Sequence, residues 1–393
     1  MLNEKFEELV EEGLAKIVIP KRQLYLREDG SLEPAWMPVF YNPVAAVGRD
    51  LTTAFLNAVF NGKEFFFVDV LAGCGVRGIR IALEAGGTGI INDVDPRAFS
   101  YARRNVALNN LGEKLDVYNH EANTLLNNLT FTGVVVDYVD IDPYGSPSPY
   151  IESALKPLGK ASFLGVTATD TAPLTCSHYR KARYRYWVNC FRPDFEKELG
   201  ARVLIGHTVM KASSLEMALV PLLTVYHKHF YRVFYKSVRS AAEASTIVDK
   251  CVGYLWYCQK TLERGFARSY DDIRDIKCSD GSTPNVTGNT WICELGDLGT
   301  IKGVEQVIAK VNYLSRTSRK IVGTIVEELE INVPYYRVDK VYSLLKRNMP
   351  PIEKIIAYLR NTGVKASRTH FDPRGLRADV EIFELVKLLS ELR

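Results

Sequence analysis

Between Glu64 and Val238, short β-branched and aromatic runs alternate with amphipathic stretches. The apolar runs predict strands over 65–71, 89–93, 115–119, 134–141, 161–167 and 202–208. The intervals between them, such as Ala98 to Asn109, predict helices. Such alternation implies right-handed βαβ units around a mostly parallel sheet. Ser214 to Tyr226 reads as one more helix, and His229 to Val238 as an antiparallel terminal strand. Ahead of this region, the pattern predicts a short helix over 4–12, a strand over 12–20 and polar turns over 21–38. Pro38 to Pro43 follows as a loop with adjacent aromatics, and a helix opens at Arg49-Asp50 and runs through Phe60.

Past residue 240 the texture changes. Strand-like runs at 253–258 and 290–294 flank a loop rich in Gly, Ser, Thr and Asn. Helices are expected over about 301–314, 318–330, 337–347 and 351–361, then a turn at Asp372 to Gly375 and a closing helix from Val380 to Leu392. The pattern predicts a smaller α+β domain with winged-helix-like character in outline. The division expected is therefore 1–240 and 241–393.

Length supports two domains, since single domains usually hold about 100–200 residues. With 47% hydrophobic and 24% charged residues the chain has an ordinary globular composition, and its net charge of +4 selects no partner by itself. The start of the chain is acidic and amphipathic, unlike a signal peptide. No apolar run reaches the ~18 residues of a membrane-spanning helix. Seven cysteines, at 74, 176, 190, 251, 258, 278 and 293, are scattered and never spaced Cys-x-x-Cys. That spacing argues against a disulfide framework and for a reducing, cytoplasmic setting.

Two stretches carry chemistry. Phe65 to Gly78 is a strand running into Gly73-x-Gly75-x-x-Gly78, with Asp93 at the end of the next strand. This matches a dinucleotide fingerprint, but Asp69 just upstream would repel a pyrophosphate. It would attract a cation, and S-adenosylmethionine offers a sulfonium and an ammonium with no phosphate. Glycines let the backbone approach that cofactor closely. Asp93 would accept from its ribose hydroxyls and Glu121, ending the third strand, from its adenine side; a solvated loop acid is the bland alternative for Glu121.

The second stretch is Asp140-Ile-Asp142-Pro143-Tyr144-Gly145-Ser146-Pro147, after the strand at 134–141. An acid, a rigid proline and an aromatic ring at a strand's carboxyl end suit an exocyclic amine on a flat base. A plain Asp-Pro turn with a surface tyrosine would read the same way. The order of the parts favours chemistry: glycine loop on the first strand, ribose acid on the second, Asp-Pro-Tyr-Gly on the fourth. That is the layout of a class I methyltransferase, an α/β fold.

Several further runs share one resemblance: Val39 to Pro43 with Arg49-Asp50, Gly75 to Arg80, Asn92-Asp93, Leu164 to Leu174 with its Thr-Ala-Thr-Asp170, and Arg368-Thr-His-Phe371. Together with the two chemical stretches, the chain resembles the tRNA guanine-26 N2-dimethyltransferases over nearly its whole length. The resemblance implies an S-adenosylmethionine-dependent enzyme that methylates the 2-amino group of guanine 26 in tRNA once or twice. It places Arg49, Asp69, Asp93 and Glu121 at the cofactor, Asp142 as catalytic acid, and Phe40 with Tyr144 at the target guanine; the backbone carbonyl of Pro143 would accept a second amine N–H. The family's usual Phe is Tyr144 here. Some members carry paired Cys-x-x-Cys knuckles, of which Cys258 and Cys278 are each half, so no metal site is expected.

His178 to Trp187 interleaves Arg180, Lys181, Arg183 and Arg185 with aromatics, a composition suited to phosphates and unstacked bases. A second basic cluster, containing Arg368 and Arg374, has ten Lys/Arg against three acids between Arg337 and Arg377. Solvated helical faces are the bland alternative for both. The expected partner is tRNA, with no membrane; oligomeric state is not set by the sequence, and a monomer is the default. Two other functions fit parts of the pattern: methylation of an adenine 6-amino group, and RNA binding without catalysis.

Overall fold

The computed structural model describes residues 3–392; Met1, Leu2 and Arg393, the outermost residues of the two expected domains, lie outside the description. The chain forms two compact units. One comprises residues up to Thr167 with Lys302–Lys320, and the other Ala168–Ile301 with the residues from Ile321 onward.

The first unit opens with a hairpin, β1 (Glu7–Glu12) and β2 (Ala15–Pro20), in which Glu12 pairs with Ala15. The helix expected over 4–12 is thus a strand. Its apolar positions fit either period, and the two-residue turn at Gly13, with φ of +59°, decides for the hairpin. Helix α1 (Ala46–Phe60) follows. The core is then built from β3 (Phe66–Asp69), α2 (Val76–Arg80), β4 (Thr88–Asn92), α3 (Pro96–Leu108), β5 (Leu115–Tyr118), α4 (Ala122–Phe131), β6 (Val136–Ile141), α5 (Ile151–Leu155) and β7 (Leu158–Ala168). Its strands are parallel in the order β5-β4-β3-β6-β7. Central β3 and β6 have strand neighbours on both edges and are buried along most of their length, which is why they read as mainly apolar runs. This is the α/β arrangement expected.

In the second unit, α6 (Thr171–Leu174) and α7 (Tyr179–Tyr186) lead to α8 (Glu196–Ser213). The strand expected over 202–208 is the middle of α8: Val203, Leu204 and Ile205 are apolar in succession because that helix is buried on nearly all sides. The helix expected over 214–226 is in turn β8 (Met217–His227), which pairs antiparallel with β9 (Phe230–Arg239) through a register shift between Pro221 and Leu223. Proline at an irregular point of a strand loses no ladder bond. After α9 (Ala241–Cys251), strands β10 (Val252–Tyr257), β11 (Arg264–Ala267) and β12 (Asn285–Trp291) form an antiparallel sheet, β11-β10-β12. Along the chain follow α10 (Leu298–Lys310) and α11 (Arg316–Glu328), of which residues 302–320 belong to the first unit, and then, in the second, β13 (Tyr336–Arg337), α12 (Val338–Leu344), α13 (Ile352–Asn361), β14 (Ala366–Arg368), β15 (Gly375–Ala378) and α14 (Ile382–Glu391). Strands β13, β15 and β14 make a second small antiparallel sheet.

The core of this second unit holds charges. Glu198 takes Arg202 at 2.8 Å and Arg377 at 3.0 Å, and Arg377 reaches Glu328 at 2.8 Å, all four fully or nearly buried. Glu328 also pairs with His370 of the Arg-Thr-His-Phe run. Phe371 stacks on Tyr335, with ring centroids 6.2 Å apart. That run is therefore an internal clamp of the C-terminal sheet.

Six cysteines are paired, Cys176–Cys190, Cys251–Cys293 and Cys258–Cys278, and Cys74 is free and buried. The expectation of unpaired thiols is overturned. Spacing along the chain concealed the pairs, because turns bring the partners together: Cys176 and Cys190 flank α7, and Cys251 and Cys293 flank the antiparallel ladder of β10 and β12. The argument from thiols to a reducing compartment falls with it. Closed loops of this size are worth about 3–4 kcal/mol each in chain-entropy terms. Cys258 and Cys278, the two half-knuckles, are bonded to each other. Six-residue β10 spans ~20 Å, so the two bonds at its opposite ends cannot converge on one metal ion. Among the described residues no helix is long and apolar enough to cross a membrane.

Candidate active site

The carboxyl ends of β3, β4 and β6 bring the chemical groups of the first unit together. Asp69 lies beside Ile91 on one side and Asp140 on the other. Gly73 and Gly75 then turn the chain with φ of +55° and +83°, and α2 begins at Val76. A β-carbon on Gly73 would stand 3.1 Å from the backbone oxygen of Phe40, so this glycine lets the aromatic loop close onto the cofactor loop. Buried Asp69 accepts from the Gly78 amide at 3.2 Å. Half-buried Asp93 accepts from the Gly73 amide at 2.8 Å and from the Asp95 amide at 2.9 Å. It thus shapes the glycine loop as well as facing the same edge.

Asn92, whose part in the site its motif alone does not reveal, ties the edge together. Its amide donates to the carbonyls of Val70 and His120 at 3.0 and 2.9 Å, and its oxygen accepts from the His120 amide. Buried Asn105 of α3 does the same for the hairpin and the loop, donating to Val18 and Cys74 carbonyls at 3.0 and 2.9 Å. A polar residue at an apolar helical position was the available signal.

Glu121 is exposed and caps α4, accepting from the amides of Asn123 and Thr124 at 3.0 and 2.8 Å. Partial burial raises its pKa, but these bonds outweigh that and the net shift is downward. Cofactor contact there would use the remaining lone pairs of a capping carboxylate.

Arg49 is buried and forked onto Glu12, with both contacts at 2.6 Å. Glu12 also takes Arg80 at 2.9 Å, and Arg80 reaches Asp50 at 2.7 Å and Glu84 at 2.8 Å. Burial raises the pKa of Glu12, but Arg49 and Arg80 overcome it and bring it down to about 2. A carboxylate depressed in the folded state stabilises fully above its unfolded pKa near 4.5 and loses that contribution as pH falls toward 2. The stake is about 3 kcal/mol. Glu12→Gln should therefore lower the melting temperature at pH 7 and flatten its decline between pH 4.5 and 2 relative to the parent. Parallel melting curves against pH would show that Glu12 contributes nothing.

Asp142 follows β6 and is 24% exposed at its side chain. One oxygen, Oδ2, pairs with Nη2 of Arg77. Arg77 is buried; its Nε lies 3.5 Å from Oδ1 of Asp140, and its Nη1 donates to the Thr52 hydroxyl at 3.1 Å. Asp140, fully buried, also accepts from the Tyr138 hydroxyl. Pro143 is buried, whereas Tyr144 is 83% exposed and faces Phe40 edge-on with centroids 6.2 Å apart. Two rings with exposed surface, one of them two residues from a partly exposed carboxylate, make an arrangement that could take a flat base. The donor set fits a cationic, phosphate-free cofactor: carboxylates end successive strands, and Arg49 and Arg77 are both held by acids.

The basic residues of the second unit divide in two. Arg180, Lys181 and Arg183 are exposed on α7 beside exposed Tyr179, Tyr184 and Trp187. Arg185 instead turns back to Asp170, donating at 2.8 Å, next to the Tyr186 hydroxyl at 2.7 Å. The Thr-Ala-Thr-Asp run so anchors the helix that carries the cations. Arg368 pairs with Glu353, and Arg374 approaches Asp339 at 3.4 Å.

The family model described as N2,N2-dimethylguanosine tRNA methyltransferase matches residues 15–390. A tRNA (guanine(26)-N(2))-dimethyltransferase of Sulfolobus acidocaldarius is 34% identical over 386 residues, covering 97% of each chain. One from Metallosphaera sedula is 35% identical over 392 residues, covering 98% of this chain and 97% of the other. Among solved structures, Trm1 from Pyrococcus horikoshii in complex with S-adenosyl-L-methionine aligns with a TM-score of 0.83 and 28% identity, covering 97% of this chain and 99% of that one.

Proposed function

This chain belongs to the N2,N2-dimethylguanosine tRNA methyltransferase family, and we propose that its own sheet edge carries the reaction on guanine 26 through Asp142, Pro143, Tyr144 and Phe40. The observation that carries this is the partly exposed carboxylate set beside two partly exposed rings at the strand end next to the glycine loop. Asp69, Gly73, Gly75 and Asp93 hold the cofactor, with Arg49 behind them as the buttress of the aromatic loop and Glu121 at the edge. Bound S-adenosylmethionine supplies an electrophilic methyl group.

The residues do the rest. The 2-amino lone pair of guanine is delocalised into the ring, so the nitrogen is a poor nucleophile until it is drawn toward tetrahedral geometry. Asp142 accepts one amine N–H and takes its proton as the new N–C bond forms; the Pro143 carbonyl accepts the other. Tyr144 and Phe40 hold the extruded base, whose removal from the stack costs a few kcal/mol. A second cycle on the same nitrogen gives the dimethyl product. Residues 241–393 and the α7 face supply the tRNA contacts, the enzyme acts as a monomer, and its tRNA substrate places it in the cytoplasm.

Transfer of a labelled methyl group to unmodified tRNA tests the assignment. Incorporation should reach two groups per tRNA and vanish when guanine 26 is replaced by adenine. Persistent labelling of the adenine-26 tRNA would redirect the reading to another amine, and no labelling of either would leave RNA binding alone.

A further inference from the structure

We propose that Arg77 is a positioning residue for the methyl transfer, fixing Asp142 as an ionised carboxylate with Oδ2 tied and Oδ1 left for the guanine amine; this rests on the reading of Asp142 given above. Arg77 comes from the first turn of α2, directly after the glycine loop, yet its guanidinium meets Asp142 just past the end of β6. It contacts three groups at once: Asp142, Asp140 and the Thr52 hydroxyl. The Thr52 hydroxyl is itself held, donating to the Gly48 carbonyl at 2.8 Å.

Asp140 and Asp142 meet the same guanidinium, and two carboxylates around one site favour a retained proton unless a cation offsets their like charge. A protonated Asp142 could still accept the amine N–H but could not take its proton. Arg77 removes that outcome, while Asp140 is also supplied by Tyr138. A planar guanidinium also sets direction. Because it meets Thr52 and Asp140 on its other faces, its contact with Asp142 has one geometry, which lysine on a flexible stem cannot reproduce. The same side chain joins the two halves of the chemistry, since a shift of the glycine loop would move the carboxylate.

Single-turnover transfer rates, KM for tRNA and calorimetric Kd for S-adenosylmethionine separate this role from simple packing. Arg77→Met should lower the rate by about 100-fold, with KM and Kd within about threefold. Arg77→Lys should recover roughly tenfold of that loss. The pair Arg77→Met with Asp142→Asn should be no slower than Asp142→Asn alone, because groups that act as a unit are not additive. An Arg77→Met rate within a few-fold of the parent, or an additive loss in the double variant, overturns the proposal. So does a Kd that weakens as much as the rate falls. If Arg77→Met does not fold, Thr52→Val, which keeps the charge and removes the anchor, decides: a rate loss of about fivefold at unchanged Kd supports the role, and an unchanged rate overturns it. If Asp142→Asn itself turns over normally, the reading of Asp142 has failed instead.

Discussion

Asp142→Asn is expected to lower methyl transfer by about 10²–10⁴-fold, the usual worth of general-base help, while binding of S-adenosylmethionine and tRNA stays near the parent's. Asparagine keeps the shape and can still meet an amine, but it cannot take a proton or draw the nitrogen's lone pair out of the ring. Arg77 then loses one anionic partner and keeps its contacts with Asp140 and Thr52, so the melting temperature should be recorded with the rate. A folded variant that binds both substrates and transfers about 10²–10⁴-fold more slowly is the expected result. Turnover within a few-fold of the parent would send the proton elsewhere and remove Asp142 from the mechanism. At the neighbouring position, Tyr144→Phe should remain active because stacking needs only the ring, and Tyr144→Ala should not. The exposure of Tyr144 is what makes this a clean pair: little of its surface supports the fold.

The parallel sheet and its chemical edge were legible because they depend on local patterns: β-branched runs, glycines at positive φ, and an acid followed by proline. What failed has a common cause in burial. A helix buried all round, as α8 is, has no polar face to show a period of 3.6, so its Val-Leu-Ile centre passed for a strand. The strand after it, β8, passed for a helix because Pro221 and a register shift broke its alternation. At residues 4–12 both periods fitted, and only the turn at Gly13 distinguished them. The disulfides were out of reach, since pairing depends on distances that spacing does not encode. At the site the same limit applied. Glycines and carboxylates could be named from motifs, whereas Arg77, Glu12 and Asn92 act through partners as many as 68 positions away. Arg49, expected at the cofactor by position, also forks onto Glu12, a contact that its motif does not show.

Replacing Arg180, Lys181 and Arg183 together by alanine should weaken tRNA binding by about 10- to 100-fold at moderate salt and leave the Kd for S-adenosylmethionine unchanged. A cut near residue 240 would be a poorer test of RNA binding. Glu198 and Arg202 lie before it, and their partners Arg377 and the Trp291 and Cys293 carbonyls lie after it. Buried charges stripped of partners cost about 3–5 kcal/mol, so the shortened chain would fail for reasons unrelated to RNA. The three α7 cations avoid that problem because they are exposed and α7 is held by Asp170 and the Cys176–Cys190 bond. Each tRNA phosphate left without its cation should reduce the slope of log K against log salt by about 0.7–0.9, so a full set of three would reduce it by about 2–3. Arg368→Ala and Arg374→Ala should each cost less than about threefold, since their charges are already shared with Glu353 and Asp339 and exposed pairs are worth about 0–1 kcal/mol. Arg185→Ala should act differently again, lowering the melting temperature by freeing Asp170 before it affects the salt slope. A triple variant with the parent's affinity and slope would make the aromatic and basic face of α7 a solvated surface, and would move the search for the tRNA-binding face to the C-terminal cluster.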